Sequence, residues 1–206
     1  MRIDSVRFDA SGNATLVDSG GISFFIPAVR IPEIPDELPK AGDELEDEDQ
    51  TLLAIVRIAR EEEALSRALS LCSRAEQSSQ GLRAKLANRK FSKLAIEYAI
   101  RALEGQGILD DLRYASIWAR TRAEHRLEGP SSIGSELRAR GFSESVSRSA
   151  LALIDFDLIL EKAFDKELKG KSSSTLSREE LSFIVRSLKL KGFRSDSIGR
   201  LVEKST

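Results

Sequence analysis

The chain is poor in several of the residues that chemistry and cross-linking need. Its single cysteine, Cys72, excludes an intramolecular disulfide and fits a reducing compartment. A single histidine, His125, leaves no material for a His-rich or Cys/His zinc site, so no metal or other cofactor is expected. The sequence holds no HExxH pair, no phosphate-binding glycine–lysine run and no dinucleotide glycine fingerprint. Ser131-Ser132 reads as helix-start chemistry, and an enzyme is not expected. The longest apolar runs, such as Leu52–Val56, are far too short to span a bilayer. No charged stretch leading into an apolar core opens the chain, so no secretory signal is read. The expectation is a soluble, cytoplasmic protein without membrane contact, with a monomer as the default state.

Aromatic residues make up only 6% of the chain, whereas charged residues make up 32% and hydrophobic ones 41%. That balance favours helices rich in Leu, Ala, Arg and Glu over a β-sandwich. The net charge of −1 conceals a split. Residues 1–63 carry 6 Lys/Arg against 15 Asp/Glu, a net −9, and residues 64–206 carry 26 against 18, a net +8. A basic body suits nucleic acid or an acidic protein surface, although solvated helix faces would give the same count. The split also raises electrostatic autoinhibition, in which an acidic head masks a basic body until residues 1–48 are removed.

Residues 1–26 read as a β-like appendage. Ile3, Val6 and Phe8 lie near alternation, Ser11-Gly12-Asn13 and Asp18–Gly21 are turn signals, and Ile22–Ile26 reads as another strand. So short a meander must dock on something or stay loose. Residues 27–49 hold four of the five prolines (Pro27, Pro32, Pro35 and Pro39) followed by an acidic run, and read as a linker. From Asp49, a candidate helix cap, helical patterns take over.

The strongest signal is an internal repeat. Stretches beginning at Leu82, Ile133 and Ile184 are spaced 51 residues apart and align residue by residue. Leu86, Leu137 and Leu188 coincide, as do Phe91, Phe142 and Phe193, and the basic Arg89, Arg140 and Lys191. In each, an amphipathic helix ends at the basic residue and Lys90, Gly141 or Gly192 follows, glycine suiting the left-handed turn that ends a helix, and the Phe turns inward. Further helices precede each pair, at about Ala64–Ala75, Leu112–Arg126 and Leu158–Leu168. The fold class expected is mainly α: three tandem three-helix repeats in an elongated array behind a small β-like appendage. The boundaries read are 1–26, 27–49, 50–109 (first repeat with a leading helix), 110–156 and 157–206. The Ser- and Lys-rich insertion Lys169–Thr175 is expected to be a flexible loop.

Two adjacent motifs carry a family resemblance. Gly107–Arg122 reads GILDDLRYASIWARTR, and Gly129–Phe142 reads GPSSIGSELRARGF. Together with Ala68–Leu86, they resemble the RecX family over roughly residues 64–206. Gly81, where an acidic residue is usual, and Lys90, where Gly is usual, depart from the pattern. The third repeat is the least family-like, and residues 1–63 have no part in the resemblance. The resemblance implies a non-enzymatic regulator that lies in the groove of the RecA–single-stranded DNA filament, inhibits strand exchange and ATP hydrolysis, and blocks extension or promotes disassembly. Single- or double-stranded DNA is a further partner to consider. The rival reading is a helical repeat protein that binds DNA directly, without a recombinase.

Within the signature, Asp110 suits a helix cap and Asp111 the positive helix start, rather than acid/base or Mg²⁺ chemistry. Tyr114 and Trp118 share a helix face and read either as core or as partner contacts. By charge and guessed exposure, the contact candidates are Arg113, Arg120, Arg122, Arg126, Arg138 and Arg140 in the second repeat. Lys189, Lys191 and Arg194 are the candidates in the third. Cys72, in an apolar helical context, is expected inside.

Overall fold

Two turns of one design start the chain. In Asp9–Asn13 and Asp18–Ile22, the aspartate Oδ1 accepts backbone N–H bonds from two and four residues on, at 2.8–3.0 Å. Gly12 and Gly21 close them at φ of +79° and +78°, where a Cβ would be strained. These turns join β1 (Ile3–Phe8), β2 (Ala14–Asp18) and β3 (Ser23–Ile26) into an antiparallel sheet of order β1-β2-β3. In this computed structural model, residues 1–170 and 176–205 are described. The insertion expected to be a flexible loop falls, from residue 171 on, outside them.

The helices are α1 (Gln50–Cys72), α2 (Ser79–Ala87), α3 (Lys93–Gly105), α4 (Asp111–Arg126), α5 (Pro130–Ala139), α6 (Glu144–Ala152), α7 (Phe156–Leu168), α8 (Arg178–Leu190) and α9 (Ser195–Ser205). The chain divides into two compact units: residues 1–75 with 82–109, and residues 76–81 with 110–206. The division falls within α2.

In the first unit the sheet is neither loose nor an appendage. Ile3, Leu16 and Ile26 are fully buried against Ala54, Ile55 and Ile58 of α1. At roughly 1.5–3 kcal/mol for each large apolar side chain buried, the sheet is held by the face of α1 that it covers. Two readings are corrected here. The separate leading helix and first-repeat helix are a single helix of 23 residues, because nothing between Gln50 and Cys72 breaks the pattern. The 27–49 stretch is ordered and integral rather than a spacer. It forms a 3-10 helix over Ala28–Glu33, buries Arg30 and Ile34, and lays Gly42–Leu45 along β1. Prolines stop a longer helix there, while the Gly42 and Leu45 N–H groups donate to Ile3 O and Met1 O at the start of the sheet. Removing residues 1–48 would therefore strip α1 of its core.

The repeat is visible in the backbone. Lys90, Gly141 and Gly192 all lie left-handed, at φ of +62°, +85° and +90°. After each, the Phe N–H returns to the carbonyl of Leu86, Leu137 or Leu188, at 3.4, 3.2 and 3.2 Å. The next helices start at Ser92 and Ser143, whose side chains accept N–H bonds from Ala95 and Val146. Lys90 adopts the glycine conformation without being glycine, which costs on the order of 1 kcal/mol. Lys90→Gly is therefore expected to raise the stability of the first unit by about that amount, read as a higher urea midpoint with an unchanged slope.

The second unit has one continuous core. Ala115, Ala119 and Ala123 of α4, all fully buried, let α6 approach closely. Leu137, Phe142, Phe164, Leu188 and Phe193 complete the core. No helix among the described residues is long and apolar enough to cross a membrane.

Candidate functional site

The signature helix α4 is positioned at its first turn. Asp110 caps it, Oδ1 accepting the Arg113 N–H at 2.9 Å. Asp111 does more than favour the helix start, because its two oxygens accept from the Ser79 N–H at 2.7 Å and the Ser79 hydroxyl at 2.6 Å. The Ser78 hydroxyl caps the same short segment through Gly81 N–H and donates to the Arg140 carbonyl. The aspartate pair is thus committed to structure, Asp110 to the start of α4 and Asp111 to the Ser79 segment. Among the described residues, no group of three His, Cys, Asp or Glu converges as metal ligands would.

The candidate contact residues separate once they are placed. Tyr114 is half-buried, edge-on to Phe142 with ring centroids 5.4 Å apart. Trp118 lies under two guanidiniums, Arg140 at 4.5 Å and Arg122 at 5.3 Å from the ring centre. Arg122, expected on an exposed basic face, is inward. Its side chain is 17% exposed and it donates to Glu128 at 2.9 Å and Glu136 at 2.6 Å, tying α4 to α5. Lys191 is likewise engaged, 2.8 Å from Glu167, and with Ser187 it holds the Glu167 carboxyl below the usual range. Charge counting placed both the arginine and the lysine outside because it could not see these carboxylates.

The others lie at the surface. Arg113 sits 3.4 Å from Glu76 and Arg194 3.3 Å from Asp196. Arg138 bonds the Ser135 hydroxyl, and Arg140 reaches Glu136 at 3.7 Å besides covering Trp118. Arg120, Arg126 and Lys189 are exposed and make no ion pair among the described residues.

Two outward faces emerge within this unit. On α4, Arg113, Ile117 and Arg120 follow at helical spacing, with Ile117 57% exposed. On α8, Ile184 and Leu188 point inward, and the opposite face carries Phe183, Arg186 and Leu190 beside Lys189. Phe183 is 70% and Leu190 79% exposed, and Arg186 has no ion-pair partner among the described residues. The sequence reading missed Ile117, Phe183, Arg186 and Leu190. On α8 the signal was available, as two large apolar residues two turns apart on the face opposite the repeat's buried leucine. Large apolar groups held in water among surface cations suit a partner with carboxylates or phosphates around an apolar patch.

Known proteins resemble this chain in sequence and in fold. Residues 110–151 match the family described as RecX, second three-helix domain. The regulatory protein RecX of Halorhodospira halophila is 30% identical over 131 residues, covering 64% of this chain and 81% of its own length. That of Thermus thermophilus is 44% identical over 89 residues, 43% of this chain and 61% of its own. A crystal structure of regulatory protein RecX superposes with a TM-score of 0.72 at 23% identity, covering 98% of both chains. RecX from Lactobacillus salivarius gives 0.64 at 24% identity, over 70% of this chain and 96% of the other. At those identities, the two structures speak for the fold, including the sheet-bearing first unit for the structure that spans it.

Proposed function

The chain belongs to the RecX family of regulatory proteins, and on that premise we propose that it is a monomeric, non-enzymatic cytoplasmic regulator of the RecA recombinase. It binds the RecA–single-stranded DNA filament in its groove, lowers ATP hydrolysis and strand exchange, and blocks extension or promotes disassembly. The observation that carries this reading is the outward face of α8, where Phe183 and Leu190 flank Arg186 and Lys189. The α4 face, with Ile117 between Arg113 and Arg120, adds a second contact, and Arg126 and Arg138 extend the positive field. A filament groove repeats its protomers along its length, so several moderate contacts on one chain sum by avidity. Apolar anchors ringed by cations supply affinity at the centre and steering at the rim.

The test is the single-stranded-DNA-dependent ATPase of the cognate RecA, titrated with this protein well below the RecA concentration. Strong inhibition is expected. The triple variant F183A/R186A/L190A removes only exposed groups, so it should fold as the parent does while losing at least tenfold in potency. No inhibition by the parent chain, even at equal concentration, would overturn the reading. Tight DNA binding without RecA, falling steeply with salt, would put direct DNA binding in its place.

A further inference from the structure

The first unit carries a docking groove that the regulatory reading does not use. Its sheet has two unlike edges. The outer edge of β1 is covered at its start, where the Ile3 N–H donates to Asp43 O at 2.9 Å, the Gly42 N–H to Ile3 O at 2.7 Å and the Leu45 N–H to Met1 O at 2.8 Å. The edge at β3 is open. The turn bond from Asp18 N–H to Ile22 O fixes the ladder phase. With the register Leu16↔Phe24 and Ala14↔Ile26, strand alternation leaves the N–H and C=O of Ser23 and Phe25 turned away from β2. β3 reads Ser-Phe-Phe-Ile, with none of the proline, lysine or bulge devices that usually guard an exposed edge.

Beside that edge runs a groove of about 1020 Å³ between β3 and one face of α1. Phe24, Leu52, Val56, Leu65 and Leu69 give it an apolar lining. Asp18, Asp47, Glu62 and Glu63 also line it, against two cations, Arg60 and the Met1 amino group, and the Arg60 guanidinium already lies 2.7 Å from Glu63. The acidic run through Asp49 adjoins it, and residues 1–63 as a whole carry −9.

We propose that this groove binds an extended segment of a partner protein in which apolar residues alternate with lysine or arginine. The segment adds a fourth strand to β3. Its backbone pairs with Ser23 and Phe25, its apolar side chains enter the groove over Val56 and Leu69, and its basic side chains meet the carboxylates. Strand addition of this kind takes affinity from the main chain and specificity from alternate side chains. A second copy of this chain is disfavoured at the same place, because two such rims would bring like charges together. The partner differs in chemistry from the one proposed for α4 and α8, which are basic faces.

The probe is a random octapeptide display library selected on the full chain, counter-selected on two variants. Asp47→Lys with Glu63→Lys changes only exposed rim charges. Ser23→Pro removes an edge donor at the first position of the strand, where proline is tolerated. Thermal unfolding of both variants, matched to the parent, establishes that they fold. The expected result is enrichment of alternating apolar and basic peptides, bound at least tenfold more weakly by each variant, with amide shifts centred on Ser23 and Phe25. Enrichment of acidic peptides, binding unchanged in the variants, no enrichment over the variants, or self-association through β3 would each overturn the proposal.

Discussion

Gly129→Ala is expected to loosen the third repeat from the second, lowering stability by on the order of 3 kcal/mol. Backbone conformation is not the reason, since Gly129 has φ −86° and ψ 168°, which any residue adopts. The reason is contact. A Cβ there would lie 2.4 Å from the Gly192 carbonyl carbon and 2.5 Å from the Phe193 nitrogen, all of it backbone that cannot swing away. The two chain segments meet so closely because Gly129 N–H donates to Lys191 O at 2.7 Å and Ser131 N–H to Gly192 O at 3.1 Å. Relieving the clash opens both bonds near buried Phe193, so overpacking and lost hydrogen bonds add. Gly192→Ala meets Ser132 at 2.5 Å and also strains φ at +90°, and it should be at least as damaging. Gly199→Ala, in α9 with open space around it, is the control and should be neutral or mildly stabilising. Urea unfolding measures the loss, and hydrogen exchange should speed selectively in α8 and α9. Equal stability of G129A and G199A would show that the close approach does not hold the repeats together.

Arg30→Met should cost the first unit about 3–5 kcal/mol, the usual penalty for stranding buried charge. The Arg30 side chain is 7% exposed and is met by three carboxylates: Glu33 at 2.8 Å, Glu61 at 2.6 Å and Glu62 at 3.2 Å. Its guanidinium also lies 4.4 Å over the Tyr98 ring, and the Tyr98 hydroxyl donates to Glu62 at 2.6 Å. The node thus binds the 27–49 stretch, α1 and α3 together. The whole network need not be more stable than an apolar packing, but removing its cation leaves Glu61 to Arg57 at 3.2 Å and Glu62 to the neutral Tyr98 hydroxyl. R30M/E61Q/E62Q should accordingly recover much of what R30M loses. Arg60→Met, an exposed pair with Glu63, should change stability by less than about 1 kcal/mol.

The same node sets a pH signature. Hydrogen bonds from Arg30, helped by Arg57, lower the Glu33 carboxyl from 4.5 to about 2. A lowered carboxyl stabilises the fold above its ordinary value, and that contribution is lost as pH falls from 4.5 towards 2. Burial and the bond to Glu62 push the Tyr98 phenol up from 10.0 to about 12. Its contribution is present below pH 10 and is lost as pH rises towards 12. The acid limb of the stability–pH curve should flatten in R30M, whereas the alkaline limb should not, because Arg30 itself pulls the Tyr98 phenol down against burial and Glu62. A wild-type-like curve would remove Arg30 from the account.

Repeat spacing, the left-handed exits and the inward phenylalanines were legible in the sequence because each is local. A 51-residue period, a glycine after a basic residue and a helix cap can all be read from short stretches of chain. The mainly helical class and the three strands were legible for the same reason. What sequence could not provide was partnership across distance. Arg122 and Lys191 look identical to Arg120 and Lys189 until Glu128, Glu136 and Glu167 are brought beside them. Asp111 looks like a helix-start charge until Ser79 arrives from 32 residues away. Proline and acid made 27–49 resemble a spacer, yet Arg30 within it is buried among carboxylates contributed mainly by α1. Short-range sterics and apolar periodicity made most helices, strands and turns readable, with the 27–49 stretch and the unbroken length of α1 as exceptions. Which charges are spent inside, which apolar groups stay in water on α8 and which sheet edge is left open depend on what long-range packing sets against each, and short stretches of chain do not carry that.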